Sequence, residues 1–174
     1  MRHEARPAHA GVVTLAEAAA LVDRLRARGL RIAFTNGVFD LVHPGHLRYL
    51  RKARAEADAL VVGVNSDRSV RAGKGAARPV VPAAERAELL ASFDMVDAVV
   101  IFDEDTPAAI IAALQPDVLV KGADWAEDAI VGRETVATRG GRVVRTAVEA
   151  GYSTSAIIER IKAVKKKNGD PDTR

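Results

Sequence analysis

The sequence contains no cysteine, and aromatic residues make up only 4% of its 174 residues. The lack of cysteine excludes disulfide bonds and thiolate chemistry. No apolar run approaches the roughly 20 residues that a membrane-spanning helix needs. The N-terminal segment also lacks the apolar stretch of a secretory signal. We therefore expect a cytoplasmic protein with no membrane partner.

The chain has 26 basic and 23 acidic residues, so its net charge is only +3 and neither sign is in large excess. The densest basic run, "KAVKKK", lies near the C-terminal end. Aromatic side chains, on which nucleic-acid bases stack, are scarce. We expect no nucleic-acid partner, because a small basic excess suits a protein that binds phosphorylated small molecules at least as well.

Five short segments rich in β-branched residues alternate with helical patterns: "LRIAFT", "ALVVGVN", "DAVVIF", "DVLVKG" and "RVVRT". They are apolar without strict alternation, as strands covered on both faces should be. The alternation predicts an α/β, single-domain, Rossmann-like fold whose five-stranded parallel sheet carries helices on both faces.

Local signals set the expected boundaries. Thr14 and Glu17 form a capping box at the start of a helix that ends at Gly29, and Thr106 is the predicted N-cap of "TPAAIIAAL". The predicted organisation is a leader and helix over residues 1–30, a core domain over 31–164 and a basic tail over 165–174. The first dozen residues and "KNGDPDTR" are expected to be disordered.

The fold class predicts a ligand site beyond the carboxyl ends of the strands, near the point where the strand order reverses. Nearly all the unusual polar residues lie in the segments that follow the predicted strands. These segments are "TNGVFDLVHPGH", "NSDRSVRAGKGAARP", "FDEDTP", "KGADW" and "TAVEAGYSTS".

His43 and His46 are the most informative of these polar residues. Their spacing puts them on one face of a helix, and Pro44 and Gly45 place them in its first turn. Free N–H groups and the helix dipole favour an anion there. The arrangement suits phosphoryl or nucleotidyl transfer, which depends on charge stabilisation around phosphorus. The alternative is that the histidines only cap and solvate the helix.

A structural zinc site and a P-loop are both excluded. Two histidines are too few for a structural zinc, and His3 and His9 lie in the leader, so no metal held by the protein is expected. The segment "AGKGA" is not a P-loop, because the required earlier glycine is missing and Gly75 stands where Ser or Thr is needed.

The segment "TNGVFDLVHPGH" resembles the first signature of the HxGH nucleotidyltransferases. "VNSD", "AERAELL", "VKGADW" and "YSTSAIIERI" are similar to later blocks of that superfamily, in the same order, over about residues 31 to 162. An aminoacyl-tRNA synthetase is excluded by the size of the chain and by the lack of a KMSKS-like segment. Three longer blocks most resemble the heptose 1-phosphate adenylyltransferases: "NSDRSVRAGKGAARPVVPAAERAELL", "FDEDTPAAIIAALQPDVLVKGADW" and "GGRVVRTAVEAGYSTSAIIERI".

This resemblance implies transfer of AMP from ATP to heptose 1-phosphate, giving ADP-heptose for lipopolysaccharide and pyrophosphate. The chain has no room for a sugar kinase and so looks like the stand-alone form. Mg²⁺ would arrive on ATP, and a homodimer is expected. Two alternatives remain: a cytidylyltransferase that acts on glycerol 3-phosphate or a similar alcohol, and a nucleotide-binding module without catalysis. The choice of ATP over CTP rests on the resemblance.

The resemblance also implies roles for individual residues. It makes His43, His46 and Lys74 catalytic, with both histidines on the phosphates of ATP and Lys74 on a glycine-flanked loop. Residues implied to bind the sugar phosphate are Asp40, Asn65, Asp67 and Arg78. Residues implied to bind the nucleotide, besides the two histidines, are Thr35, Asn36, Gly37, Phe39, Arg86, Lys121, Gly122, Asp124, Ser153, Thr154 and Ser155.

Structural alternatives stand beside several of these roles. Asp40 could form an Asx turn or orient a basic neighbour. Lys74 could be a solvated surface lysine, and Arg86 could pair with an acidic neighbour. Trp125 could belong to the core, and Ser153 could be an ordinary N-cap.

Overall fold

Seven helices and six strands alternate along the part of the chain that the computed structural model describes, residues 10–123, 125–147 and 151–167. The strands are β1 (Gly11–Val12), β2 (Ile32–Gly37), β3 (Ala59–Asn65), β4 (Ala98–Phe102), β5 (Val118–Gly122) and β6 (Arg142–Thr146). The helices are α1 (Leu15–Ala27), α2 (Pro44–Ala55), α3 (Asp67–Lys74), α4 (Ala83–Ala91), α5 (Ala108–Leu114), α6 (Arg133–Thr138) and α7 (Thr154–Lys167), with one 3₁₀ turn at Glu127–Ala129.

All six strands pair in parallel, in the order β1-β4-β3-β2-β5-β6. The chain moves from β2 through β3 to β4 on one side, and then crosses over to build β5 and β6 on the other side. The strand order therefore reverses at β2, and a crevice opens between the loops at the carboxyl ends of β2 and β5. The α/β fold with a parallel sheet is confirmed.

The sheet is apolar on both faces because a helical layer covers each of them. Phe34 of β2 packs in a core with residues of α1 and α5, whereas the preceding residue, Ala33, packs with Leu50 of α2 and Leu90 of α4. Successive residues of a strand point to opposite faces, so both must be apolar. Among the described residues, no helix has the length and the apolar character needed to cross a bilayer.

The capping box predicted for α1 is present. The Thr14 hydroxyl accepts a 3.2 Å hydrogen bond from the Glu17 N–H, and the Glu17 carboxylate accepts a 2.8 Å bond from the Thr14 N–H. Such caps typically stabilise a helix by about 1 kcal/mol. Leu21, Val22 and Leu25 then bury the apolar stripe of the helix against the sheet.

The sheet and helices differ from the prediction in five places. The sheet has a sixth strand, β1, inside the leader that was expected to be disordered, and it pairs with Ala98 and Val99. Thr106 is not an N-cap, because α5 begins at Ala108 after Pro107. Helices α3 and α6 were not predicted. The predicted tail begins inside α7, which continues through Lys167, and residues 168–174 lie outside the described part of the chain.

Candidate active site

His43 and His46 form a stacked pair at the start of α2. His43 is the N-cap residue with extended backbone, and His46 is the third residue of the helix. Their ring centroids are 3.8 Å apart, with an interplanar angle of 18°. The His43 N–H donates a 3.4 Å hydrogen bond to Nδ1 of His46. Since that nitrogen accepts, the proton of a neutral His46 ring lies on Nε2.

Burial keeps both imidazoles neutral at neutral pH. Burial and, to a lesser extent, the adjacent His43 together lower the pKa of His46 to about 4, although the Asp40 carboxylate acts in the opposite direction. Burial likewise lowers the pKa of His43. Nδ1 of His43 is buried and has no hydrogen-bond partner among the described residues. The pair can thus supply neutral N–H donors to a ligand, without two adjacent positive charges.

Gly45, between the two histidines, is required by close packing. A Cβ atom at this position would lie 2.9 Å from Cβ of Tyr152 and 3.0 Å from Nδ1 of His43. The centroid of the Tyr152 ring lies 6.2 Å from the centroid of the His43 ring. It also lies 5.1 Å from Cζ of Arg48. The segment before α7 therefore packs directly against the start of α2.

A cavity of about 550 Å³ lies in front of the histidines, at the carboxyl edge of the sheet. Its volume falls in the usual range for nucleotide-sized ligands. The structure brings most of the predicted site residues to its walls: Asn36, Gly37, Phe39, Asp40, His43, His46, Asn65, Lys74, Arg78, Lys121, Gly122, Ser153, Thr154 and Ser155.

Three predicted site residues do not line this cavity: Thr35, Asp67 and Arg86. The buried Thr35 hydroxyl lies 2.7 Å from the Tyr49 hydroxyl and donates a 3.0 Å bond to the Val120 carbonyl. It joins β2, α2 and β5 beneath the cavity. Asp124 lies outside the described residues.

Arg86 is 1% exposed, and protein acceptors surround its guanidinium. It donates to the backbone carbonyls of Val81, Val38 and Asn65, and it forms a 2.7 Å ion pair with Asp67. Arg86 and Asp67 do not line the cavity, and their contacts with the nucleotide and the sugar phosphate stay predictions. The alternative given for Arg86, a pair with an acidic neighbour, is present, and Arg86 holds the loop before α2 against α3 and α4.

Asp40 is also an internal support. Its carboxylate is 1% exposed and accepts bonds from Arg78 Nε at 2.8 Å, from the Val80 N–H at 2.9 Å and from the Val81 N–H at 3.0 Å. Burial would raise the pKa of Asp40, but these three donors lower it below the ordinary value. Asp40 is therefore ionised and orients a basic neighbour, Arg78, at the cavity wall.

Lys74 was predicted to lie in a loop, but it is the last residue of α3. Gly75 follows with a φ of 88°, a left-handed conformation that suits glycine and ends the helix. Lys74 is exposed and reaches the cavity from its outer rim. Asn65, at the end of β3, donates a 3.1 Å hydrogen bond to the Ser69 hydroxyl in α3.

The start of α7 closes the opposite wall. Ser153 caps the helix, since its hydroxyl accepts a 3.1 Å bond from the Ala156 N–H. The Thr154 hydroxyl donates a 2.7 Å bond to the Asp40 carbonyl. Thr154 thereby connects α7 to the loop that leads to His43.

Sequence reasoning missed several residues of the cavity. Tyr152 precedes the "STS" block, and its position beside that block was the only signal in the sequence. Asp105 and Pro107 follow β4, in a segment already predicted to face the site. Trp125 is 53% exposed and lines the cavity, so it is not a core residue. Among the described residues, no cluster of three or more His, Asp or Glu side chains could hold a metal ion.

Comparison with known proteins gives a consistent result. The model of the family "Cytidylyltransferase-like" matches residues 34–160. The chain is 54% identical over 152 residues to "Bifunctional protein HldE" of Acidiphilium cryptum, which covers 87% of this chain. It is 52% identical over 159 residues to the HldE protein of Rhodospirillum rubrum, which covers 91% of this chain. The chain spans 31% and 32% of the length of these two relatives.

A solved structure agrees with the sequence matches. The lipopolysaccharide core biosynthesis protein from Thermoplasma volcanium GSS1 superimposes with a TM-score of 0.58 at 26% sequence identity. The superposition covers 70% of this chain and 98% of that one.

Proposed function

The chain belongs to the cytidylyltransferase-like family of nucleotidyltransferases, and from this membership and the geometry of the cavity we propose that it transfers AMP from ATP to heptose 1-phosphate. The products are ADP-heptose, a precursor for lipopolysaccharide, and pyrophosphate. The observation that carries the proposal is the stacked, neutral His43–His46 pair at the start of α2, facing a nucleotide-sized cavity.

Two similarities support heptose 1-phosphate as the acceptor. The blocks that follow β3, β4 and β5 resemble those of the heptose 1-phosphate adenylyltransferases. The superimposed Thermoplasma protein is described as a lipopolysaccharide core biosynthesis protein. The family name favours one other candidate, transfer of CMP from CTP to an alcohol phosphate such as glycerol 3-phosphate.

The proposed reaction is an in-line displacement at the α-phosphorus. An oxygen of the sugar phosphate forms a bond to the α-phosphorus, and the bond from that phosphorus to the oxygen bridging to the β-phosphorus breaks. Pyrophosphate leaves with the electron pair. No general base is needed, since a phosphate monoester is already anionic near neutral pH.

The histidines act on the charge that develops around the α-phosphorus. Their N–H groups are neutral donors fixed by stacking and by the hydrogen bond between His43 and His46, so they need no reorganisation during the reaction. The free N–H groups at the start of α2 and the hydroxyls of Ser153 and Ser155 offer further donors to the phosphates.

Positive charge comes from three sides of the cavity. Lys74 reaches it from α3, Arg78 from the following loop and Lys121 from β5. Asp40 and Arg86 have supporting roles, because Asp40 orients Arg78 and Arg86 secures the loop before α2. Asn36, Gly37, Phe39 and Gly122 form the floor under the nucleotide.

Mg²⁺ belongs to the substrate in this proposal. The carboxylates at the cavity, Asp40 and Asp105, are paired with Arg78 and Arg68. The donor set of the described residues therefore does not fit a resident metal ion, and Mg²⁺ would enter bound to the triphosphate, where it offsets negative charge. A homodimer and a cytoplasmic location stay predictions from the sequence.

A panel of nucleotides and sugar phosphates, followed by pyrophosphate release, tests the proposal. ATP with heptose 1-phosphate should give the highest kcat/KM of the panel. Turnover only with CTP and glycerol 3-phosphate would assign the protein to the cytidylyltransferases. Tight ATP binding with no release in any combination would favour a nucleotide-binding module.

A further inference from the structure

Lys121 is a buried cation at the floor of the cavity. Its side chain is 8% exposed, although lysine is almost never buried without a partner of opposite charge. It donates a hydrogen bond to Oδ1 of Asn36. An ammonium group has three donors, and no acceptor among the described residues takes the other two.

The position of Lys121 in the sheet explains why its charge faces the ligand space. Phe34 and Leu119 are register partners on β2 and β5, and both pack in the core covered by α1 and α5. Two residues later, on the same face, β2 presents Asn36 and β5 presents Lys121. The two strands thus change from apolar to polar side chains together, where the core ends and the cavity begins.

No carboxylate of the described residues lies within ion-pair distance of Lys121. The two carboxylates that line the cavity are engaged elsewhere: Asp40 with Arg78 at 2.8 Å, and Asp105 with Arg68 at 3.4 Å. Burial without an anion lowers the pKa of Lys121 to about 8. A charge in this position destabilises the fold unless a ligand supplies the anion.

We propose that Lys121, oriented by Asn36, binds a phosphate oxygen of the substrates at the floor of the cavity. The inference rests on the proposed function, which brings two phosphorylated ligands to this site. The oxygen belongs either to the triphosphate of the nucleotide or to the phosphate of the acceptor. In both cases the ligand provides the negative charge that the described part of the chain does not.

Lys121→Met tests this proposal, since methionine keeps most of the length and removes the charge. Titration calorimetry of the full chain would give the dissociation constants of α,β-methylene ATP and of heptose 1-phosphate separately. A charged hydrogen bond to phosphate predicts a loss of about ten- to a hundredfold in affinity for one of the two ligands. The ligand that loses affinity identifies which phosphate Lys121 contacts.

Lys162→Met is the matched control. Lys162 is an exposed lysine of α7 that pairs with Glu159 at 2.8 Å, and its replacement should change neither dissociation constant. The melting temperature without ligand separates a binding role from a structural one. Lys121→Met should raise it, because an uncompensated buried charge has been removed, whereas loss of a structural contact would lower it.

Three results would count against these claims. Unchanged affinity of Lys121→Met for both ligands, when the unaltered protein binds both, overturns the Lys121 inference alone. A lowered melting temperature with a parallel loss of both affinities also overturns it, because Lys121 would then be structural. Failure of the unaltered protein to bind either ligand overturns the proposed function, and the Lys121 inference with it.

Discussion

The Thr154 hydroxyl donates a 2.7 Å hydrogen bond to the backbone carbonyl of Asp40. The bond joins the first turn of α7 to the loop between β2 and α2, across 114 residues of sequence. Asp40 is held in turn by Arg78 and by the backbone of Val80 and Val81. The loop that leads into the histidine pair at the start of α2 is therefore held by two other parts of the chain.

Thr154→Val removes this bond while keeping the shape of the side chain. The free energy of unfolding should fall by about 0.5–1.5 kcal/mol, the usual net value of one hydrogen bond. The kcat should fall more than this loss of stability implies, because a small displacement of the histidines disturbs transition-state contacts. Urea unfolding and steady-state kinetics measure the two effects.

Thr138→Val is the control for this change. The Thr138 hydroxyl donates a 2.8 Å bond to the Glu134 carbonyl within α6, at an exposed position. Its replacement should leave kcat unchanged. Equal kinetic effects of the two variants would show that Thr154 does not position the site.

His43→Ala and His46→Ala should each lower kcat far more than they raise the dissociation constant of ATP. Loss of one preorganised donor to transition-state charge typically lowers the rate on the order of a hundredfold or more. Pre-steady-state kinetics and titration calorimetry separate the two quantities. Near-normal turnover of either folded variant would contradict the proposed role of the pair.

Lys74→Ala should reduce turnover and ATP affinity with little change in melting temperature. Lys74 is exposed at the end of α3, and its side chain contributes little to the core. Thermal unfolding and binding of α,β-methylene ATP test both parts. A large loss of stability without a loss of affinity would make Lys74 a structural residue.

Acid should destabilise the protein through His46. The pKa of this ring is about 4 in the folded chain and 6.5 when unperturbed, so the unfolded chain binds more protons between these values. The stability is therefore greatest above the unperturbed pKa, and it falls as the pH falls toward 4. His46→Gln, which cannot titrate, should lose less stability than the unaltered protein between about pH 7 and about pH 5, by ~1–2 kcal/mol.

Urea unfolding at the two pH values measures the difference. The lowered pKa of His43 acts in the same direction and persists in the variant. Asp40 has a pKa below its usual range, so its contribution is lost only at lower pH. An equal loss of stability in both proteins would mean that the pKa of His46 is not lowered by folding.

The regular elements were predictable because local signals and burial agree. The strands β2 to β5 are largely buried segments rich in β-branched residues, and α1 begins at the capping box of Thr14 and Glu17. Helix α3 was missed because its sequence contains Gly73 and buries only Ser69 and Val70. Strand β1 has two residues, too few to carry a periodic pattern.

The sequence predicted the positions of those site residues that lie at the carboxyl ends of the parallel strands, because these ends share one edge of the sheet. His43, Lys121 and Ser153 each lie at the end of a strand or the start of a helix, and so they meet at the cavity. The partners of Arg86 and Asp40 were not predictable from spacing. Their bonds to Val38 and Arg78 depend on how distant segments pack, which the local sequence does not encode.

The ratio of kcat/KM for ATP and for CTP, with heptose 1-phosphate as the acceptor, tests the central claim most directly. We propose that the base is bound mainly by backbone groups of the segment around Gly122, where buried donors left unpaired by the wrong base would weaken binding strongly. We expect ATP to be preferred on the order of a hundredfold or more, with ADP-heptose and pyrophosphate as products. A ratio near one, or a preference for CTP, would contradict both the adenylyl transfer and the heptose assignment.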